Sequence, residues 1–166
     1  STTDTTAATG AGDVIESGGG TTDNIVLGGL GDDLVNQSGT ASAGTDIVMG
    51  DNGYVNWDSG GLITEFASTD PALGGNDAIA VGDGANIVVG GFGNDTITTG
   101  AGADIVLGDD GLVNYVSADG VSSDIDLILS TSTTAYGGAD TITTGDGSDI
   151  VIGGRLDDTI NAGDGS

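Results

Sequence analysis

The sequence predicts an all-β fold: a right-handed parallel β-roll, or β-helix solenoid, with β-hairpin insertions. Three observations support this prediction. Nine-residue repeats place glycines and an aspartate at fixed positions along most of the chain, as in parallel β-helix repeats. An Ile or Val follows each aspartate at a constant distance, which is typical of short strands with one buried side chain. Two stretches between the repeats have the alternation and turn residues of hairpins.

The clearest repeats lie between Gly90 and Gly111 and read GGFGNDTIT, TGAGADIVL and GDDG. Glycines at the first, second and fourth places allow backbone conformations that a Cβ atom would prevent, so carbonyl oxygens can turn inward. The aspartate at the sixth place adds carboxylate oxygens, and the three residues after it form a strand. A site of hard oxygen ligands without nitrogen or sulfur indicates calcium.

The pattern G-G-x-G-x-D-x-U-x, in which U is a large apolar residue, resembles the nonapeptide of the RTX (repeats-in-toxin) family. The resemblance covers most of residues 10–165 apart from the two insertions. It implies a calcium-loaded parallel β-roll, with ligands from the glycine-rich turn and from the sixth-place carboxylate. RTX proteins generally leave the cell unfolded by type I secretion and fold on meeting external calcium. The resemblance therefore also implies an extracellular location, secreted or on the cell surface.

The predicted metal ligands occupy the sixth place of successive repeats. They are Asp13, Asp23, Asp33, Asp46, Asp77, Asn86, Asp95, Asp104, Asp140, Asp149 and Asp158. Two residues after each lies an apolar residue that should point into the roll: Ile15, Ile25, Val35, Val48, Ile79, Val88, Ile97, Val106, Ile142, Val151 and Ile160. Three departures weaken individual turns, because Thr21 and Leu156 replace fourth-place glycines and Asn86 offers an uncharged oxygen.

A second set of aspartates lies in the turns but outside the sixth place. It comprises Asp51, Asp83, Asp109, Asp110, Asp146 and Asp164. These residues are either additional calcium ligands or solvated turn residues. Adjacent pairs such as Asp32 and Asp33 would suit acid/base chemistry on glycosides. Neighbouring side chains tend to diverge in a strand-and-turn repeat, however, so we do not predict an enzyme.

The chain is predicted to be one continuous solenoid with two interruptions. A lead of residues 1–9 precedes repeats at 10–53, 74–111 and 137–166, and hairpin insertions occupy 54–73 and 112–136. A longer period links the blocks, since Asp140 follows Asp77 by 63 residues. The predicted unit is therefore four nonapeptides and one hairpin. The chain begins at Ser1 without a signal peptide, and we expect it to be a fragment of a longer array.

Successive nonapeptides should form half-coils on opposite sides of the roll, so that residues 18 apart stack. One side then presents small and polar residues outward: Ala78, Ala80, Thr96, Thr98, Thr141, Thr143, Thr159 and Asn161. The other side presents an apolar stripe of Ile47, Met49, Ile87, Val89, Ile105, Leu107, Ile150 and Ile152. A stripe of this size should not face water. The hypothesis is that the hairpins cover it with Trp57, Ile63, Phe66, Tyr115, Leu127 and Leu129, and the alternative is lateral contact with a second chain.

The composition is strongly acidic and rich in glycine: 34 glycines, 26 acidic residues, one basic residue and a net charge of −25. Disordered acidic chains share this composition, and disorder is the alternative for the metal-free state. The absence of Cys and His excludes disulfides, thiolate nucleophiles and ordinary zinc or copper sites. The charge repels nucleic acid and anionic membranes, and no apolar run is long enough to insert into a membrane.

Folding is expected to depend on calcium. Each nonapeptide buries little more than one Ile or Val, whereas nine residues lose backbone entropy and the clustered carboxylates repel one another. A cation between stacked turns would cancel the repulsion and convert its binding free energy into folding free energy.

The predicted function is that of a calcium-binding structural module of an adhesin or fibre, which becomes rigid in extracellular calcium. Two other functions remain open. Rows of threonine resemble the surfaces of ice-binding β-solenoids, and RTX repeats also form non-catalytic tails of secreted enzymes and toxins. Copies of the chain could associate laterally, or end to end through unpaired strand edges.

Overall fold

The computed structural model describes residues 10–18, 20–38, 43–133 and 135–165, so the predicted lead at 1–9 lies outside the described residues. Within these ranges the chain forms fifteen short β-strands. They are β1 (Val14–Gly18), β2 (Ile25–Leu27), β3 (Leu34–Ser38), β4 (Ile47–Met49), β5 (Gly53–Trp57), β6 (Ile63–Ser68), β7 (Ala78–Ala80), β8 (Ile87–Val89), β9 (Thr96–Thr98), β10 (Ile105–Leu107), β11 (Gly111–Asn114), β12 (Leu127–Ser130), β13 (Thr141–Thr143), β14 (Ile150–Ile152) and β15 (Thr159–Asn161). No helix among the described residues is long and apolar enough to cross a membrane.

Eleven strands build a parallel β-roll from two sheets, which confirms the predicted fold class. The first roll sheet has the order β1-β3-β7-β9-β13-β15, and the second has the order β14-β10-β8-β4-β2. All pairings within these two sheets are parallel. Consecutive roll strands alternate between the sheets, as expected if each nonapeptide is one half-coil.

The interior of the roll is a narrow core of one residue per strand. The buried residues of this core are Val26, Val35, Val48, Ile79, Val81, Val88, Ile97, Val106 and Ile142, with Ile15 and Val151 packed against them. Nearly all are the residues predicted two places after the sixth-place residue. Ile160 is 47% exposed because β15 is the last strand of its sheet and has a neighbour on one side only.

The predicted register is wrong by one residue in the second repeat. Ile25 pairs with Ile47 and Val26 with Val48, so Val26 enters the core while Ile25 is 41% exposed. The sixth place therefore belongs to Asn24, and Asp23 precedes it. By the same shift Thr22, and not Thr21, stands at the fourth place. The three apolar residues of β2 made either register acceptable, and the pairing with β4 decides between them.

Both insertions occur in the same kind of turn, which keeps the alternation of half-coils intact. Each one follows a strand of the second roll sheet and precedes a strand of the first: β4 to β7, and β10 to β13. We call this side of the roll the insertion edge, and its turns comprise residues 28–33, 50–77, 90–95, 108–140 and 153–158. The turns at the opposite edge include residues 20–24, 43–46, 81–86, 99–104 and 144–149.

The two hairpins join into one antiparallel sheet, with the order β12-β11-β6-β5. This hairpin sheet covers the outer face of the second roll sheet, as predicted. Phe66 is fully buried there and lies between Val55 and Val113 of the neighbouring strands. The second hydrophobic cluster also contains the apolar stripe residues Ile47, Met49, Ile87, Val89 and Leu107.

Three of the residues predicted to form this cover are in fact outside it. Trp57 is 52% exposed, and Leu127 and Leu129 are 39% and 47% exposed. Ile128 packs against the cluster instead. Because side chains alternate along a strand, Ile128 can face the roll only if Leu127 and Leu129 face away. Ile63 and Tyr115 do pack against the cluster.

Candidate metal centre

A ladder of carboxylates runs along the insertion edge. The backbone N–H of each sixth-place aspartate donates to Oδ1 of the sixth-place aspartate in the next coil. The bonds are Asp13 to Asp33 at 2.6 Å, Asp33 to Asp77 at 2.8 Å, Asp77 to Asp95 at 2.8 Å, Asp95 to Asp140 at 2.9 Å and Asp140 to Asp158 at 3.0 Å. Six predicted ligands, separated by up to 45 residues in sequence, are thus aligned in a single row.

The opposite edge carries a second ladder of the same kind. Here the N–H of Asn24 donates to Asp46, Asp46 to Asn86, Asn86 to Asp104 and Asp104 to Asp149, at 2.8–3.1 Å. The other predicted sixth-place residues therefore lie on this row, with Asn24 in the position predicted for Asp23. Asp23 itself is exposed and accepts the N–H of Thr45 at 2.8 Å.

The second carboxylate oxygen distinguishes the insertion edge. Oδ2 is buried and has no hydrogen-bond partner in Asp33, Asp77, Asp95 and Asp140. A buried carboxylate oxygen without a partner is strongly unfavourable unless a cation or a proton reaches it. Four such atoms in one row indicate a row of cation sites.

Glycine at the first place of these turns lets the unpartnered oxygen approach the backbone closely. A Cβ on Gly90 would collide both with Oδ2 of Asp95 and with the carbonyl oxygen of Gly108 in the next coil. A Cβ on Gly50 would collide in the same way with Oδ2 of Asp77 and the carbonyl of Gly90. Each of these glycines therefore lies against one carboxylate oxygen and one backbone carbonyl from consecutive coils, and oxygens of these two kinds are the ligands that calcium prefers.

Burial changes the acidity of the insertion-edge carboxylates. It raises the pKa of Asp95 to about 9 and the pKa values of Asp77 and Asp140 to about 7, and neighbouring carboxylates raise them further while backbone N–H donors oppose the shift. Burial also raises the pKa of Asp33. At neutral pH and without a cation, Asp95 therefore keeps its proton and Asp77 and Asp140 are about half protonated. Burial makes the charged forms unfavourable, and a bound cation would supply the interaction that stabilises them.

Asp51 and Asp109 lie at the start of the two insertions. Their carboxylates accept hydrogen bonds from backbone N–H groups of the insertion-edge turns. Asp51 accepts the N–H groups of Gly75 at 3.0 Å and Phe92 at 2.6 Å. Asp109 accepts those of Gly138 at 2.7 Å and Arg155 at 2.6 Å. Each carboxylate is buried and joins two consecutive coils. Burial, with a contribution from Asp77, raises the pKa of Asp51 to about 10, and burial also raises the pKa of Asp109.

The remaining predicted turn aspartates divide into one buried residue and three in a surface row. Asp110 is buried at the base of the second hairpin, its Oδ2 has no partner, and burial raises its pKa to about 6. Asp83 accepts the N–H of Ala101 at 2.8 Å, and Asp146 accepts that of Asp164 at 3.4 Å. These three lie on the opposite edge, where Asp146 and Asp164 are exposed.

Carboxylates do not form a metal cage by themselves. Within the described ranges, no three acidic side chains are grouped closely enough to hold a metal ion. Calcium takes six to eight oxygens, many of them backbone carbonyls. The ladders place only one sixth-place carboxylate per turn, so carbonyl oxygens of the glycine-rich turns would have to complete each site.

Sequence reasoning missed several residues of these rows. A parallel row at the fifth place runs along the insertion edge, where Asn76 donates its N–H to Asp32, Asn94 to Asn76 and Ala139 to Asn94. The recurrence of Asp or Asn immediately before the sixth place was the signal for it. The hydroxyls of Thr99 and Thr144 and the amide of Asn24 also take part in the turns, and their spacing from the sixth place could have identified the two threonines.

The fold and the ladders together define a calcium-binding β-roll. The family model described as the RTX calcium-binding nonapeptide repeat, in four copies, matches residues 81–111 and 134–166. The chain therefore carries RTX repeats, and these two segments belong to that family of calcium-binding sequences. No curated protein and no solved structure matches the chain.

Proposed function

We propose that the chain is a structural segment of a secreted or cell-surface protein, an adhesin or a fibre, which calcium folds into a rigid rod outside the cell. The observation that carries the proposal is the insertion-edge ladder. It extends from Asp13 to Asp158 without a break, and four of its six aspartates have a buried oxygen without a partner.

The rigidity follows from where the cations would lie. In a solenoid each coil contacts only its neighbours, so stiffness depends on the contacts between consecutive coils. A calcium ion between two turns would link a carboxylate of one coil to a carbonyl of the next. Without it, the buried charges of adjacent coils repel each other and weaken every coil-to-coil contact in the row.

The charge and the buried aspartates also support a location outside the cell and a role without catalysis. RTX repeats are typical of secreted proteins, and calcium sites of extracellular modules are tuned to millimolar or sub-millimolar concentrations. Oδ1 of each buried ladder aspartate is held by a backbone N–H. These carboxylates hold coils together, so we propose that the chain is not an enzyme.

A calcium titration followed by circular dichroism and small-angle X-ray scattering tests the proposal, with magnesium as the control cation. We expect calcium to produce β-structure and an elongated particle of constant cross-section, and equal magnesium to have little effect. A chain that is equally folded after chelation, or folded equally well by magnesium, would contradict the proposal.

Ice binding is the second candidate function, because threonines stack in register on the outer face of the first roll sheet. Thr141 pairs in register with Thr96 and Thr159, and Thr143 pairs with Thr98. Most of these threonines are exposed. Thermal hysteresis measured in calcium distinguishes the candidates: we expect a gap between melting and freezing temperatures only if this flat row binds ice, and Thr96→Lys together with Thr141→Lys should then abolish it.

Self-association remains a prediction. Among the residues that the structure describes, the end strands of the two roll sheets, β1 and β15 or β2 and β14, have a strand neighbour on one side only. Free strand edges favour pairing with another chain. Light scattering in saturating calcium tests this, and a monomer at all concentrations would exclude it.

A further inference from the structure

The two edges of the roll differ in what contacts their carboxylates and turn carbonyls. At the insertion edge, four sixth-place aspartates keep a buried Oδ2 without a partner. At the opposite edge, side chains of the chain itself occupy the corresponding oxygens. The nonapeptide pattern is nearly the same on both edges, so the difference comes from particular residues.

Two threonines satisfy the second carboxylate oxygen at the opposite edge. The hydroxyl of Thr99 donates to Oδ2 of Asp104 at 2.7 Å, and that of Thr144 donates to Oδ2 of Asp149 at 2.7 Å. Both threonines are buried, and Asp104 is fully buried. Oδ1 of each aspartate already accepts a backbone N–H from the neighbouring coil. Both carboxylate oxygens are therefore hydrogen-bonded without a cation.

Asparagine has an equivalent effect at two other turns of this edge. The side-chain Nδ2 of Asn86 donates to the carbonyls of Gly82 at 2.9 Å and Gly84 at 3.2 Å. Nδ2 of Asn24 approaches the carbonyl of Thr22 at 3.3 Å. These are backbone carbonyls of the turns, the kind of ligand that a calcium site there would use, and an amide nitrogen contacts them instead.

The two edges also differ in the residue type at the first place of the turn. At the opposite edge, Thr99 and Thr144 stand at the first place of the turns that end in Asp104 and Asp149, and Val81 stands there where the sixth place is Asn86. Asp46 has no threonine at this position, because Ala41 lies five residues before it. In the five insertion-edge turns defined above the first place is glycine, namely Gly28, Gly50, Gly90, Gly108 and Gly153. Glycine has no hydroxyl to donate, so the aspartate oxygen there stays available.

We infer that calcium binds between the turns of the insertion edge, and that hydrogen bonds from threonine hydroxyls or asparagine amides take its place in the opposite-edge turns that end in Asn24, Asn86, Asp104 and Asp149. The inference rests on the proposed function in that it requires the chain to bind calcium. Beyond the proposed function, the inference states which half of the repeats binds calcium. The opposite edge then needs no calcium for its own contacts between coils, and the insertion edge makes the fold as a whole calcium-dependent.

Counting bound calcium by equilibrium dialysis and elemental analysis tests the inference with a matched pair of variants. Asp95→Asn changes the insertion edge and Asp104→Asn changes the opposite edge. Asn86 shows that asparagine is accepted at the sixth place and can still receive the backbone N–H. We expect Asp95→Asn to bind fewer ions per chain than the wild type, and Asp104→Asn to bind the same number.

A loss of ions in Asp104→Asn equal to that in Asp95→Asn would overturn the inference while leaving calcium binding intact. A wild-type chain that binds no calcium would instead overturn the proposed function. A gain-of-site variant, Asn86→Asp with Thr99→Val, removes both closing groups from two consecutive turns and should bind at least one additional ion. Crystals of the wild-type chain grown in calcium give a check that needs no variant: anomalous scattering should place ions at the insertion edge, and ions in the opposite-edge turns would contradict the inference.

Discussion

The backbone N–H of Asp95 donates to Oδ1 of Asp140, which lies 45 residues further along the chain. The second hairpin insertion separates them. The same bond joins Asp77 to Asp95 across only 18 residues. The insertion therefore leaves the stacking of the coils unchanged, and the carboxylate row passes through it.

Metal-free protein should be more stable in mild acid than at alkaline pH. The pKa values of Asp77, Asp95 and Asp140 are raised in the fold from 3.8 to about 7, 9 and 7. The folded state therefore binds more protons than the unfolded state above pH 4, and stability must fall as pH rises from there toward 7–9. Thermal melts followed by circular dichroism at pH 5 and pH 8, after removal of calcium, measure the difference.

Two controls separate this effect from general repulsion among surface charges. Added potassium chloride screens exposed charges but affects buried ones much less, so the pH dependence should persist in high salt. The triple variant Asp77→Asn, Asp95→Asn, Asp140→Asn should reduce it, and the part that remains belongs to other buried carboxyls with raised pKa values, above all Asp51. With calcium present the dependence should reverse, because protons compete with the cation for the same oxygens. A metal-free melting temperature that is higher at pH 8 than at pH 5 would refute the prediction.

Gly93→Ala should destabilise the calcium-loaded roll severely. Gly93 has φ of +118°, and a Cβ there would collide with the carbonyl oxygen of Gly75 in the adjacent coil. Both the backbone conformation and the coil-to-coil spacing exclude a side chain, so we expect a loss of more than about 2 kcal/mol, the range of strained or overpacked sites. Urea unfolding in saturating calcium measures the free energy of unfolding.

Gly61→Ala is the matched control for this variant. Gly61 also has a positive φ, +87°, but a Cβ there would meet nothing within 4 Å. Its cost should be limited to the conformational penalty of about 1–2 kcal/mol. Equal losses in the two variants would show that the spacing between coils does not restrict Gly93.

The sequence predicted the roll well because its signals are local and repeated. Nine-residue spacing of glycine, aspartate and Ile or Val is sufficient to pair most half-coils, as the burial of Ile97 and Val106 shows. It failed at Asp23, where Ile25, Val26 and Leu27 are all apolar and alternation gives no register. Within each block of repeats the ligand rows follow from the spacing, whereas the alignment of Asp33 with Asp77 and of Asp95 with Asp140 across the insertions comes from the structure.

The features that sequence reasoning missed depend on contacts between distant segments. The pairing of β6 with β11 joins hairpins that lie far apart in the chain. No local sequence pattern predicts this pairing. Trp57 follows the buried Val55 by two residues, so strand alternation also favours the covering face, yet the register of β5 with β6 shifts between Asn56 and Trp57 and leaves Trp57 52% exposed. The bond from Thr99 to Asp104 required knowledge of the turn conformation.

Phe66→Ala should cost far more stability than Trp57→Ala. Phe66 is fully buried between the hairpin sheet and the roll, whereas Trp57 is 52% exposed. Truncating a buried phenylalanine typically costs about 3–5 kcal/mol, and exposed substitutions usually stay within about 0.5 kcal/mol. Urea unfolding in calcium tests the pair, and a Trp57→Ala variant as unstable as Phe66→Ala would mean that the cover is arranged differently.

Leu156→Gly should stabilise the last coil of the insertion edge. Leu156 occupies the fourth place of its turn with φ of +69°, where the equivalent Gly31 and Gly93 have φ of +113° and +118°. A left-handed conformation costs a residue with a Cβ about 1–2 kcal/mol, while glycine loses about 0.5–1 kcal/mol through its greater freedom in the unfolded chain. The side chain of Leu156 is 68% exposed, so its removal sacrifices little packing.

The gain should therefore be up to about 1 kcal/mol, or roughly fivefold in the local opening equilibrium. Because terminal coils of a solenoid can open independently, the measurement should be local. Hydrogen exchange of the Thr159 amide, which donates to the carbonyl of Asp140, reports the opening of this coil. Leu156→Ala removes a similar exposed side chain but keeps the Cβ, so it should not slow the exchange. If alanine slowed it as much as glycine, the benefit would come from losing an exposed apolar side chain and the backbone explanation would be wrong.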